Sequence, residues 1–311
     1  MSFISQLKSN YTEKRANKIK ELEMSVNNEN GAIKSNDLSP EIISVEKKVS
    51  LKSTLTLMSI GKNIEHTFKS LKNNPDFPKT SASNEFIQEF ENYAISMNIK
   101  SIGYTKVPQE VIFKDKALLY ENAIVFTKEI DKNSVDNELP GKAATDLKLY
   151  DELGKKTNEL ADYLRKNGFG AHASHPAIGL VTYPVLAQYA GLGWKGKSNL
   201  LITPESGPRQ KISAIFTSIE NLPFNEDKGH SWIEDYCDTC GKCIKKCPED
   251  AMIEIESADG SKRNKIIAEI CRGCNESCTI CMKECPFNKR DYTSLKNRFE
   301  KNNKGKKNFL N

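Results

Sequence analysis

The sequence predicts an α/β or α+β domain followed by a small cysteine-ligated module, and three observations carry that reading. Helix-period and strand-like segments alternate between residues 84 and 219. All nine cysteines of the 311-residue chain fall between Cys237 and Cys285. Just before them, residues 190 to 209 hold four glycines, two prolines and three basic residues in one stretch.

Taken in order, residues 1 to 80 are rich in Lys, Asn, Ser and Glu, with helical stretches expected around residues 4 to 24 and 51 to 72 and no visible chemistry. Residues 73 to 84 carry two prolines and end at Ser83 or Asn84, either of which can cap the helix that follows. Phe86, Phe90, Tyr93 and Met97 then recur at helical spacing and should face a core. Lys100 to Gly103 and Ala123 to Phe126 read as strands, with a polar loop over residues 131 to 141. From Ala143 to Lys166 the apolar pattern Leu147, Tyr150, Leu153, Leu160, Tyr163 and Leu164 predicts a long helix that stops at Asn167 and Gly168. Residues 170 to 174 can form a strand, and Pro184 is suited to start a short helix closed by Gly191. Leu200 to Thr203 and Ile212 to Ile219 are two further strands, joined by turn-rich PESGPRQ.

The cysteine block is the most specific signal. Cys237, Cys240, Cys243, Cys247 and Pro248 make the C-x2-C-x2-C-x3-C-P run of bacterial two-cluster ferredoxins. Such a run places its fourth cysteine on a second cluster, so a partner run is expected. Cys278, Cys281, Cys285 and Pro286 supply it, preceded by Cys271 and Cys274. Crossed ligation assigns Cys237, Cys240, Cys243 and Cys285 to cluster A, and Cys247, Cys271, Cys278 and Cys281 to cluster B, leaving Cys274 spare. Structural zinc uses two separated thiolate pairs, whereas here three cysteines come at steps of three with proline closing each run. Disulfides would need an oxidising compartment, and the N-terminus shows neither an apolar export core nor a twin-arginine pair. With no run of about 18 apolar residues either, the chain is expected to be soluble and cytoplasmic, without a membrane span.

A chain of 35.0 kDa is much larger than a ferredoxin, so a sizeable domain stands before the module. Composition, 38% hydrophobic and 28% charged, is that of a globular protein. Of the net charge of +5, a surplus of six positive charges lies in residues 289 to 307, which reads as a solvated basic tail able to dock an acidic electron donor or nucleic acid. The expected division is an N-terminal segment 1–80, a domain 81–230, a two-cluster module 231–290 and a tail 291–311.

Glycines let backbone approach a ligand closely, so residues 190 to 209 can be a cofactor loop or a pair of tight turns; their spacing is not G-x-G-x-x-G. AGLGWKGK at Ala190 to Lys197 resembles the signature of epoxyqueuosine reductases, and LLITPESGPR at Leu200 to Arg209, with Ile215, Phe216 and Thr217, resembles corrinoid reductive dehalogenases. The likeness runs from about Phe86 to Asn288. It implies a nitroreductase-like domain that cradles cobalamin, followed by a ferredoxin-like module with two [4Fe-4S] clusters. On that resemblance the chain is an anaerobic iron–sulfur oxidoreductase. Its electrons would come from a low-potential donor such as ferredoxin or flavodoxin, and its substrate would be a small organic molecule or a nucleoside. Gly191, Gly193, Gly196 and Ser198 would lie against the corrin or its tail, and Lys197 and Arg209 would face phosphate or amide groups.

The likeness has gaps. The aspartate segment that epoxyqueuosine reductases carry about a dozen residues before AGLGW is replaced by Pro176, Ala177 and Ile178, and Trp194 stands where dehalogenases usually have Glu. Candidate proton donors are Tyr183 first, then His172 and His175, with Tyr150 read chiefly as a packing residue. Two other functions fit the same residues: a [4Fe-4S] electron-transfer protein without corrinoid, and a flavin-dependent reductase.

Overall fold

The structure is a computed structural model that describes residues 51–136, 142–224, 229–256, 262–267, 269–273 and 278–307. The helix expected at residues 4 to 24 lies outside them.

Helix α1 (Leu51–Lys69) is followed by a 3-10 turn, Ser70–Asn73. Helix α2 (Asn84–Ser96) starts where Ser83 accepts a hydrogen bond from the Phe86 N–H, a side-chain cap that satisfies one of the free donors of the first turn. Strand β1 (Ser101–Lys106) leads through a 3-10 turn, Gln109–Val111, to β2 (Asn122–Glu129). The expected polar loop after β2 contains a short helix, α3 (Lys132–Asp136); Asp131 accepts hydrogen bonds from the Ser134 N–H and hydroxyl, a local cap that alternation counting does not see. Helix α4 (Lys142–Lys166) ends at Gly168, whose φ of +87° is the left-handed turn that glycine permits. Strand β3 (Ala171–Ser174), helix α5 (Tyr183–Tyr189), the small pair β4 (Trp194–Lys195) and β5 (Leu201–Ile202), and β6 (Gln210–Thr217) complete the first part.

The main sheet runs β1-β2-β6-β3, every neighbouring pair antiparallel. Both faces are covered, so alternate residues of one strand feed two cores. Ile124 and Phe126 of β2 with Ile215 of β6 pack under α2 and α4 against Phe90, Leu153, Leu160 and Leu164. Ala123, Val125, Ala214 and Phe216 face the other way, against Leu186 and Ala187 of α5. Of the four helical-spaced residues expected in the core, Phe90 is buried; Phe86, Tyr93 and Met97 are half-buried at its rim.

Helix α1 packs on α4 through polar contacts: Asn63 Nδ2 donates to Asp151 (2.7 Å), Thr67 Oγ1 donates to Asn158 Oδ1 (2.8 Å), and Asn158 Nδ2 donates to the Asn63 carbonyl (2.9 Å). The segment for which the sequence showed no chemistry therefore contributes a helix to this layer.

The cysteine-bearing part comprises α6 (Trp232–Cys240), α7 (Lys242–Lys245), the hairpin β7 (Met252–Glu256) and β8 (Lys262–Ile266), α8 (Ile280–Lys283), α9 (Pro286–Lys289) and α10 (Tyr292–Lys307). The basic segment expected as a solvated tail is helix α10. Tyr292, Leu295 and Phe299, at spacings of three and four, lie on one face; Leu295 is buried, and the rings of Tyr292 and Phe299 pack on Trp232. A charge count overlooked that apolar stripe.

Candidate metal centre

Four thiols converge at the joint between the two parts. Cys237 and Cys240 sit on the last turn of α6, which Gly241 closes in the left-handed conformation with its N–H donated to the Cys237 carbonyl; Cys243 follows on α7. Cys285 arrives from the far end of the module, immediately before Pro286 starts α9. Cys237, Cys240, Cys243 and Cys285 line one cavity of about 330 Å³, counted to its open mouth. Burial pushes the Cys237 thiol up to about 11 and the Cys285 thiol up to about 12, and raises Cys243 as well. Thiols this reluctant to ionise become thiolates when a metal supplies the compensating charge. Three cysteines close in sequence plus a fourth returning from elsewhere is the donor set a cubane takes, and the residues present fit one. Among the described residues no three His, Cys, Asp or Glu side chains gather tightly enough for a single ion.

The second set is more spread. Cys247 follows α7, which packs against the helix α8 that carries Cys281. Cys278 donates its N–H to the Gly273 carbonyl, which ties it to the turn that begins with Cys271. Cys274 lies outside the described residues.

The glycine-rich stretch does not form an open cradle. A Cβ on Gly193 would meet the Ile202 carbonyl oxygen at 2.1 Å, and one on Gly196 would meet Ile202 Cδ1 at 2.7 Å and Cys237 Sγ at 3.5 Å. These glycines exist because β4, β5 and the thiol cavity crowd them. Gly191, with φ of +68°, is the turn that ends α5. Ser198 is buried at the cavity wall. Lys197 reaches Asp238 at 3.0 Å and Glu254 at 3.1 Å, while Arg209 donates to Glu129 (2.9 Å) and to the Ile130 carbonyl (2.9 Å). Both cations are thus engaged with this chain's own acceptors. As a seat for a corrin, these six residues do not fit.

The candidate proton donors separate. The Tyr183 hydroxyl lies 2.6 Å from Ser174 Oγ and within 2.9 and 3.0 Å of the Ser174 and His175 carbonyls, and burial raises its pKa. It is held as a loop brace. His172 and His175 are buried and each accepts a backbone N–H at Nδ1, from Leu119 and Ala177. Burial drops both to about 4, so they are neutral at pH 7 and poor acids. The Nε2 of His175 points at Gly154 of α4, where a Cβ would stand 1.9 Å away.

Sequence patterning gave Tyr150 a packing role and left Lys211 unmentioned. The Lys211 ammonium lies 4.0 Å from the centre of the Tyr150 ring and 2.8 Å from Asp146. The ammonium and the half-buried phenol ring make a cation–π contact. The available signal was a lysine in the fully buried strand β6, next to the apolar run that starts at Ile212.

The fold and the thiol cavity define an iron–sulfur protein of mixed α and β structure. The 4Fe-4S binding domain family matches residues 230–253, which include Cys237, Cys240, Cys243 and Cys247. The chain is 33% identical over 152 residues to the epoxyqueuosine reductase of Gloeobacter violaceus, covering 44% of this chain and 46% of that protein. It is equally 33% identical over 135 residues to the tetrachloroethene reductive dehalogenase of Dehalobacter restrictus, covering 42% of this chain and 23% of that protein. Among solved structures, the catabolic reductive dehalogenase NpRdhA superposes with a TM-score of 0.61 over 80% of this chain and 38% of its own, at 17% identity, a likeness of fold. The chain is similar in part to the epoxyqueuosine reductases and the reductive dehalogenases, and it spans less than half the length of these proteins. No helix among the described residues is long and apolar enough to cross a membrane.

Proposed function

We propose that this chain is an iron–sulfur reductase that passes electrons through two [4Fe-4S] clusters into its α/β domain. Cluster A is held by Cys237, Cys240, Cys243 and Cys285, and cluster B by Cys247, Cys271, Cys278 and Cys281. The observation that carries the reading is the four-thiol cavity, walled on one side by Lys197, Ser198 and Ile202 of the α/β domain. An electron on cluster A therefore sits directly against that domain. The electron source is a low-potential carrier, and the substrate is a small organic molecule or a nucleoside.

Reduction of such a substrate needs a proton, and the Tyr150 phenol beside the Lys211 ammonium is placed to give one. A structural neighbour is described as carrying out B12-dependent dehalogenation, which makes a corrinoid the candidate acceptor here. Such a group would supply a reducible cobalt. The residues of the Gly191 to Ser198 loop support the thiol cavity and do not hold it.

That last finding favours a second reading, an electron-transfer protein without a corrinoid. Iron, sulfide and acid-extractable cofactor in anaerobically purified protein decide between them. Iron and sulfide near eight per chain with a released corrinoid support the first reading. The same iron with no organic cofactor, even after incubation with cobalamin, selects the second. A flavin spectrum would point to a flavin-dependent reductase, and zinc in place of iron would overturn all three.

A further inference from the structure

We infer that Lys197 of the α/β domain sets the reduction potential of the cluster held by Cys237, Cys240, Cys243 and Cys285, acting as a positioning residue; this rests on the two-cluster reading above. Three observations converge on it. Lys197 lines the cavity with Cys237, Cys240, Cys243 and Cys285. Its neighbour Ser198 is buried at the same wall. Its ammonium, on a side chain only 14% exposed, is fixed between Asp238 of α6 and Glu254 of β7 at 3.0 and 3.1 Å.

On reduction the cluster gains one electron and becomes one unit more negative. A fixed cation favours the more negative state, and cluster potentials follow net charge. Two carboxylates, Asp238 and Glu254, stand close enough to oppose that effect. Lys197 offsets part of their charge, so one cation weakens the field of two acids on the cavity. Because Lys197 belongs to the α/β domain, docking of that domain is what completes the cluster's electrostatic surroundings.

The test is a potentiometric titration of the full chain, reconstituted anaerobically with iron and sulfide and followed by the paramagnetic signals of the reduced clusters. Wild-type protein should give two one-electron steps. In Lys197→Met one of them should move negative by about tenfold in the reduction equilibrium, close to 59 mV for one electron, while the other stays. In Glu254→Gln, where an opposing acid is lost and the lysine remains, the same step should move positive. Two unmoved midpoints, or equal shifts in both, overturn the inference with the two-cluster reading intact. A wild-type protein without two steps overturns both. Should Lys197→Met fail to retain its clusters, the sign of the Glu254→Gln shift decides.

Discussion

Gly207 lies against the backbone of Phe287: a Cβ placed on it would stand 2.3 Å from the Phe287 carbonyl oxygen. The glycine sits at φ of +56° in a tight loop whose ends, Thr203 and Gly207, exchange backbone hydrogen bonds of 2.9 and 3.0 Å. Phe287 in turn lines the thiol cavity and stacks with Trp232 and Tyr236. Through this pair the α/β domain touches the segment that supplies Cys285.

Gly207→Ala should therefore act at a distance. The left-handed backbone alone costs a side chain about 1–2 kcal/mol, and the close carbonyl adds to it. Thermal unfolding should shift downward, and the variant should lose iron from one cluster faster than wild type does. An unchanged melting curve and unchanged iron retention would show that the contact is slack.

Cysteine substitutions should divide the iron into two halves. Cys285→Ser is expected to lower iron from about eight to about four per chain and to remove one paramagnetic signal. Cys271→Ser should remove the other, and Cys274→Ser should leave both. Elemental analysis with spectra of the reduced proteins checks each, and loss of a signal in Cys274→Ser alone would reverse the cluster B assignment.

Acid should weaken the fold through two histidines. His172 and His175 have pKa values lowered to about 4 by burial, against an ordinary 6.5. Between those values the unfolded chain binds protons that the folded chain refuses, so stability rises with pH there. The neutral histidines contribute fully above pH 6.5 and lose that contribution as pH falls toward 4, about 3 kcal/mol each at the limit. Denaturant midpoints taken from pH 7 to pH 4.5 should fall, and His172→Gln should flatten the fall by about half.

Proton supply is testable apart from electron entry. Tyr150→Phe and Lys211→Met should slow substrate reduction by about 10²-fold or more while dithionite reduces the clusters as in wild type. Substrate turnover measured beside the rate at which dithionite reduces the clusters separates the two steps. Tyr183→Phe should cost stability through its Ser174 contacts instead.

Most of the scaffold was legible because its signals are local. The Ser83 cap, the Gly168 stop and the apolar runs of β2 and β6 each determine their own element. So did the cysteine steps, which brought Cys285 to the same cavity as three thiols more than forty residues earlier. What escaped depends on tertiary contact. Gly193 and Gly196 look alike to a sequence whether they approach a cofactor or Ile202, and only the structure shows the latter. Lys197 and Arg209 are cations in the sequence, but the carboxylates that occupy them lie 57 and 80 positions away. Tyr150 was assigned by helical period, which says which face it is on and nothing about Lys211 above its ring.

Thr279 donates its hydroxyl to the Val135 carbonyl (3.0 Å), and Asn288 donates to Asp136 (2.7 Å), so α3 clasps the returning half of the cysteine-bearing part from outside. A carrier that delivered electrons by swinging would have to break both ties on every cycle. On the proposed function, a module held this way is built-in wiring: the gap an electron crosses is set when the chain folds, and solvent viscosity should leave the internal hop untouched.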